Sequence, residues 1–294
     1  MMKEPDFCMS GDAGRSATAA TGHGEFLALL RLLDDDTPEV RAALERKFAE
    51  MDGDASEWIG ACGVDPDEGR LKLLSSMLAP GRRRRLAEEW QAPTGGAAAM
   101  GDDWDLLESL LRNLSDFLHD GVTIRQPLSD ALDMLSEEAE DAGVDTEEDL
   151  RIFLFEEARY VANESAMEDP ENLDLAWVVD AGRGNAVGLC VLYVLIANRL
   201  GLEVVAVDYP QRFFCRIHEQ GRAYLIDCAD FGRPHLQQDL MGRADIGRIE
   251  KRYLGGQTGP GGVLLRVMSD LETMLRRRKR AEDADLIKKL RGLL

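Results

Sequence analysis

The stretch from Leu189 to Leu202 (LCVLYVLIANRLGL) is apolar at nearly every position, interrupted only by Asn198 and Arg199 before Gly201. A surface helix carries one apolar stripe and one polar face, so a segment apolar all round has to be covered on every side. Gly201 supplies the stop that such a helix needs. Three short runs rich in β-branched and aromatic residues follow, 203–209 (EVVAVDY), 213–218 (FFCRIH) and 222–228 (RAYLIDC), separated by Pro210 and by Glu219-Gln220-Gly221. They read as strands with turns between them. A buried central helix packed on a small antiparallel sheet is an α+β fold, and 294 residues leave room for one large or two modest domains around it.

The flanks read as helical. Residues 1–23, rich in Gly, Ala, Ser and Thr, are expected to be a disordered tail. A helical unit over 24–92 opens with the apolar cluster Phe26 to Leu33; Thr37 is expected to cap a second helix with Pro38 at its first position. Pro80-Gly81 reads as a break, with Arg82 to Arg85 as the solvated start of the next helix. The segment 93–101 (PTGGAAAMG) reads as a linker. Stripes through Leu107, Leu111 and Leu114, then Leu128, Leu132 and Leu135, then Leu150 and Leu154 predict three helices, the last capped by Thr146. Residues 241–294 are expected to form a short C-terminal tail of helices.

Charge limits the partners. Residues 101–180 hold 24 acidic residues against four arginines and no lysine, an excess equal to the net charge of the whole chain, −20. Such a surface repels phosphate backbones, so nucleic acid is excluded as a general partner; the acidic face reads as a solvated surface or a docking site for a basic protein partner. No apolar run approaches the roughly 18 residues a bilayer requires, and Lys3, Glu4 and Asp6 do not suit an export signal, so no membrane association and a cytoplasmic location are expected. Five cysteines at irregular spacings, none in a C-x-x-C pair, predict neither a disulfide framework nor a zinc cluster. No cofactor or metal is indicated, and the four histidines read as surface residues.

Residues 155–234 carry a resemblance. They contain a DP-x-N turn (Asp169, Pro170, Asn172), an R-x-G-x-P-like helix start at Arg183, the R-L-G-L closure Arg199 to Leu202 and an I-D-x-x-x-x-G end (Ile226, Asp227, Gly232). This pattern resembles the SirB-type branch of the transglutaminase-like superfamily over about residues 102–240, and LLDDDTPEVRAAL resembles a HEAT-repeat turn. The resemblance implies a Cys at the start of the buried helix, a His on a following strand and an Asp on the next. A helix N-terminus and an imidazolium would lower the thiol pKa while the carboxylate orients the ring.

This chain departs from that pattern. The nucleophile position falls at Ala186, the family's P-G-H-F reads Pro210-Gln211-Arg212-Phe213, and only Asp227 is kept. A guanidinium stays protonated and cannot serve as a base near neutral pH. The expectation is a non-catalytic, SirB-type protein-interaction or regulatory module in which Arg212 and Asp227 pair across adjacent strands. The alternative is a divergent cysteine peptidase or acyl transferase using Cys190, one helical turn beyond Ala186, with Asp227 and Asn185. Arg183, Asn185, Arg212 and Asp227 are the candidate binding residues, suited to an anion at the helix start. Cys215 and Cys228 sit at odd offsets from Arg212 and Asp227, so strand alternation turns them toward the core.

Overall fold

A computed structural model describes residues 24–294 except Val64 and Gln211; the expected tail, with Cys8 and His23, lies outside the described residues. The contacts divide the chain into one unit running to Arg85 and including Asp120–Ile124, and a second made of Leu86–His119 and Arg125–Leu294.

In the first unit, helix α1 (24–31) continues into a 3₁₀ turn, Leu32–Asp34, and is followed by α2 (Pro38–Glu50), α3 (Ser56–Cys62) and α4 (Glu68–Glu89). Their apolar faces meet in a core of Phe26, Leu30, Leu44, Phe48, Ile59, Leu74 and Leu78, where the Phe26 and Phe48 rings stand edge to face at 6.2 Å. Thr37 holds the N-cap position of α2 with Pro38 next, but its side chain makes no capping bond. The expected break at Pro80-Gly81 is absent: α4 runs through it. Gly81 lacks the Cβ that would strike the Met51 carbonyl and the Gly53 backbone, so the helix can press against that turn. The arginines after it are not a solvated start. Arg82 is buried and donates to the carbonyls of Asp120 (2.8 Å) and Ser75 (3.0 Å), while Arg84 donates to those of Ala49 and Met51, both at 2.8 Å. Arg84 thereby satisfies carbonyls that the end of α2 leaves open.

The second unit begins at Leu86. The segment 93–101, expected as a linker, contains a 3₁₀ turn, Ala97–Met100, with both end residues buried and the Ala97 N–H donating to the Leu294 carbonyl at 2.7 Å. The unit boundary falls earlier, inside α4, because Leu86 and Trp90 bury in the second core. Helices α5 (Trp104–Leu118), α6 (Leu128–Asp141) and α7 (Glu147–Arg151) follow, α7 running into a π turn, Ile152–Glu156. Thr146 caps α7 as its spacing predicts, accepting from the Asp149 N–H at 3.1 Å. A two-residue parallel ladder of β1 (Val161–Ala162) and β2 (Arg183–Gly184) brackets α8 (Leu175–Ala181).

The central helix α9 spans Ala186–Arg199, and every residue from Val187 to Ala197 is buried. Gly201, at φ +69°, turns the chain so that the Leu202 N–H reaches the Ala197 carbonyl at 2.8 Å. Arg199 anchors this end, donating to Glu108 of α5 at 2.7 Å and to Asp133 of α6 at 3.1 Å. The strands β3 (Val205–Tyr209), β4 (Arg212–Glu219), β5 (Arg222–Asp227) and β6 (Arg233–Leu236) form an antiparallel sheet in that order. One face, through Phe213, Cys215 and Ile226, joins the core with α9; the other carries Val207, Phe214 and Leu225, covered by Leu254. After α10 (Gln237–Gly242) and α11 (Arg248–Gly255), helices α12 (Pro260–Arg277) and α13 (Ala281–Arg291) are part of the main core through Val263, Val267, Leu271, Ile287 and Leu290. The expected α+β architecture is therefore present, with its C-terminal helices built into the core rather than appended to it.

Candidate functional site

The start of α9 is fixed by polar groups on the turn before it. Asn172 is fully buried; its amide donates to the carbonyls of Ala166 (2.7 Å) and Asp169 (3.0 Å), and its Oδ1 accepts from Asn163 at 2.9 Å. The DP-x-N turn so formed lies against α9 so closely that a Cβ on Gly188 would collide with the Asn172 carbonyl. Asn185 is the N-cap: its Oδ1 accepts from the Gly188 N–H at 2.8 Å. That oxygen satisfies one of the open N–H groups at the start of the helix. Arg183, in β2, is exposed and pairs through its backbone with Val161.

Ala186 opens the helix and carries no reactive group. Arg212 opens β4 and Asp227 closes β5, with Arg212 Nη1 3.9 Å from Asp227 Oδ2. The Arg212 side chain is 65% exposed and that of Asp227 18%. At that separation the contact is an ion pair without a hydrogen bond, held mainly by strand register.

Cys190 does not join this pair. It is fully buried, and its thiol donates to the Phe213 carbonyl at 3.4 Å. Cys215 pairs in register with Ile226, both on the α9 side, so by strand alternation Arg212 and Asp227 leave from the opposite face. Strand alternation thus turns the Asp227 carboxylate away from the α9 face that carries Cys190.

What sequence spacing did not reveal is that Cys190, Cys215 and Cys228 meet. Their sulfur atoms lie within 4.8 Å of one another, a group able to hold a metal where none was expected. The Cys228 thiol lies 4.0 Å from the Cys215 sulfur, and the Cys215 thiol donates to the Cys190 carbonyl at 3.5 Å. Burial pushes Cys215 and Cys228 well above the usual thiol range. Burial opposes ionisation of Cys190 too, but hydrogen bonds from the other two thiols outweigh it and bring Cys190 down to about 6. The one clue in the sequence was alternation: Phe213, Cys215 and Ile217 share the apolar face of β4.

Two further buried polar groups, Arg151 and Asp174, tie separate elements together. Arg151 donates to Glu148 (2.6 Å), Glu156 (2.9 Å) and the Gly232 carbonyl (3.1 Å), tying the end of α7 to the I-D-x-x-x-x-G loop. Gly232, at φ +64°, sits where a Cβ would enter the Phe155 ring. Asp174 caps α8 and pairs with Arg125 at 2.5 Å.

Comparison with known proteins agrees with this architecture. Two UPF0162 proteins of Xylella fastidiosa, from strains Temecula1 and 9a5c, are 27% and 26% identical to the chain over 117 residues. Each alignment covers 40% of this chain and 40% of the relative. No solved structure matches. The family profile of the transglutaminase-like superfamily matches residues 123–277, from the end of the first unit's return segment through α12. With more than half of its 294 residues matched, the chain belongs to the transglutaminase-like superfamily.

Proposed function

We propose that this chain is a non-catalytic, SirB-type member of the superfamily that acts as a protein-interaction or regulatory module, with a HEAT-like N-terminal unit. The observation that carries the reading is the arginine at the imidazole position, Arg212, set 3.9 Å from Asp227, while Ala186 stands at the helix start. A permanently charged guanidinium can neither take nor return a proton near neutral pH.

The surface that suits a partner is α6. Asp130, Asp133, Glu137 and Glu140 recur along its exposed side, followed by Asp141 and Asp145. Arg199 reaches Asp133 and Arg159 reaches Glu138, which leaves an acidic face for a basic protein partner in the cytoplasm.

One observation favours the cysteine peptidase or acyl transferase reading: the lowered pKa of Cys190. Against it stand the complete burial of that thiol and the strand alternation that turns Asp227 away from the α9 face. The deciding experiment incubates the full chain with a glutamine-containing peptide, with and without an amine acceptor, and with thioester substrates. No turnover that depends on Asp227 is expected; hydrolysis or acyl transfer abolished by Asp227→Asn or Cys190→Ala overturns the proposal.

A further inference from the structure

The thiols of Cys190, Cys215 and Cys228 take no part in the Arg212–Asp227 pair, and they come from three separate elements: α9, β4 and the turn after β5. Packing of the central helix on the sheet, and not a local loop, fixes their triangle. For a metal–sulfur bond of about 2.3 Å, sulfur atoms stand about 4.0 Å apart in a planar three-coordinate site and about 3.5 Å apart in a pyramidal one. The Cys215 and Cys228 sulfurs are already 4.0 Å apart and no pair exceeds 4.8 Å, so small rotamer adjustments close the triangle.

The donor set and its surroundings select the guest. Among the described residues no His, Asp or Glu completes the group, so it lacks the fourth ligand that structural zinc takes. Three soft sulfurs favour a thiophilic ion content with three bonds. The charged side chain that acts on Cys190 is Asp227, itself an anion, and all three thiols are fully buried. A complex with net negative charge is costly there, whereas a neutral one is not.

We propose that the buried juxtaposition of Cys190, Cys215 and Cys228 is a three-sulfur binding site for a soft trivalent metalloid, taken up as its neutral trihydroxide. For arsenic the step balances without redox change: As(OH)3 and three thiols give three As–S bonds and three waters, each thiol proton leaving with a hydroxide, and where Cys190 is already ionised two waters and one hydroxide ion leave instead. Both the entering species and the product are uncharged, which suits an apolar chamber. The site is independent of the function proposed above.

The test refolds the reduced full chain from denaturant with one equivalent of arsenite, so that access to the buried thiols is not limiting. Parallel samples receive Cu(I) or Zn2+. Native mass spectrometry counts the bonds, because an arsenic held by two thiols keeps a hydroxyl that one held by three has lost. The expected result is one arsenic per chain with all three hydroxyls lost, together with a rise in Tm. The adduct should persist in Cys62→Ala and shrink to the two-thiol form in Cys215→Ala and Cys228→Ala. Absence of an adduct on the wild-type chain, a two-thiol adduct there, loss of the adduct in Cys62→Ala, or uptake of Cu(I) or Zn2+ in preference to arsenite would each overturn the proposal. The bond count on the unmutated chain decides it even where a cysteine variant does not fold.

Discussion

Arg125 Nη1 lies 2.5 Å from Asp174 Oδ2, with the carboxylate side chain only 3% exposed and the guanidinium 17%. The same arginine donates to the Ser115 carbonyl at 2.5 Å, the Ser115 hydroxyl bonds the Asp174 carboxylate, and Asp174 accepts from the Trp177 N–H at 3.3 Å. One carboxylate therefore caps α8 and neutralises an arginine that precedes α6, while Ser115 brings in α5.

Removing that carboxylate leaves a largely buried guanidinium with only the Ser115 carbonyl and the more distant Asp116 carboxylate, at 3.8 Å, to answer its charge. Asp174→Ala is expected to cost about 3–5 kcal/mol of stability, whereas Asp174→Asn, which keeps an oxygen for the helix cap, costs less. Urea unfolding followed by far-UV CD measures both. A loss below about 1 kcal/mol in the alanine variant would mean that solvent reaches Arg125 and carries its charge.

Arg212 and Asp227 give the opposite expectation. Their separation of 3.9 Å and the exposure of Arg212 place the pair in the weak regime of surface ion pairs. A double-mutant cycle on Arg212→Ala and Asp227→Ala should show a coupling of about 1 kcal/mol or less, diminished by salt. A coupling well beyond that would show a tight hydrogen-bonded clamp in solution.

Gly188 is predicted to be irreplaceable for a reason unrelated to backbone conformation. A methyl group there would meet the Asn172 carbonyl, and that carbonyl belongs to a turn locked by three side-chain hydrogen bonds. Gly188→Ala should therefore destabilise by about 1–3 kcal/mol despite the better helix propensity of alanine. Differential scanning calorimetry of the variant checks this; an unchanged or raised Tm would mean that the turn yields.

The central helix and β3 to β5 were legible because their composition has one physical solution: an all-apolar segment must be enclosed, and alternating β-branched and aromatic runs must pair. β6 was not, since Arg233-Pro234-His235-Leu236 has poor strand propensity and becomes a strand through its pairing with β5. The 93–101 segment looked like a linker because Gly and Ala make one in isolation, yet its Ala97 N–H is satisfied by the last residue of the chain. Arg212 and Asp227 stand in short motifs, and Ala186 follows by counting back along the helix from Gly201. The thiol triangle could not be read that way. Cys190 meets Cys215 and Cys228 only through the way α9 lies on the sheet, a relation that spacing along the chain does not encode.

That triangle makes stability depend on pH with two signs. Stability rises with pH wherever the unfolded chain binds more protons than the folded one. Cys190, held at about 6 against an ordinary 9.0, is deprotonated in the folded chain while still protonated in the unfolded chain between those values, so its contribution grows as pH rises through that window. Cys215 and Cys228 are pushed well above 9.0, and Tyr193 well above 10.0, so the folded chain retains protons that the unfolded chain releases, and their contribution is lost as pH rises further. Urea midpoints taken from about pH 6 to about pH 10 should climb and then fall. Cys190→Ala should flatten the rising limb, and Cys215→Ala should weaken the falling one. If the rising limb survives in Cys190→Ala, the first proton lost by the cluster does not come from the helix thiol, and the three sulfurs are ordered differently from the arrangement described here.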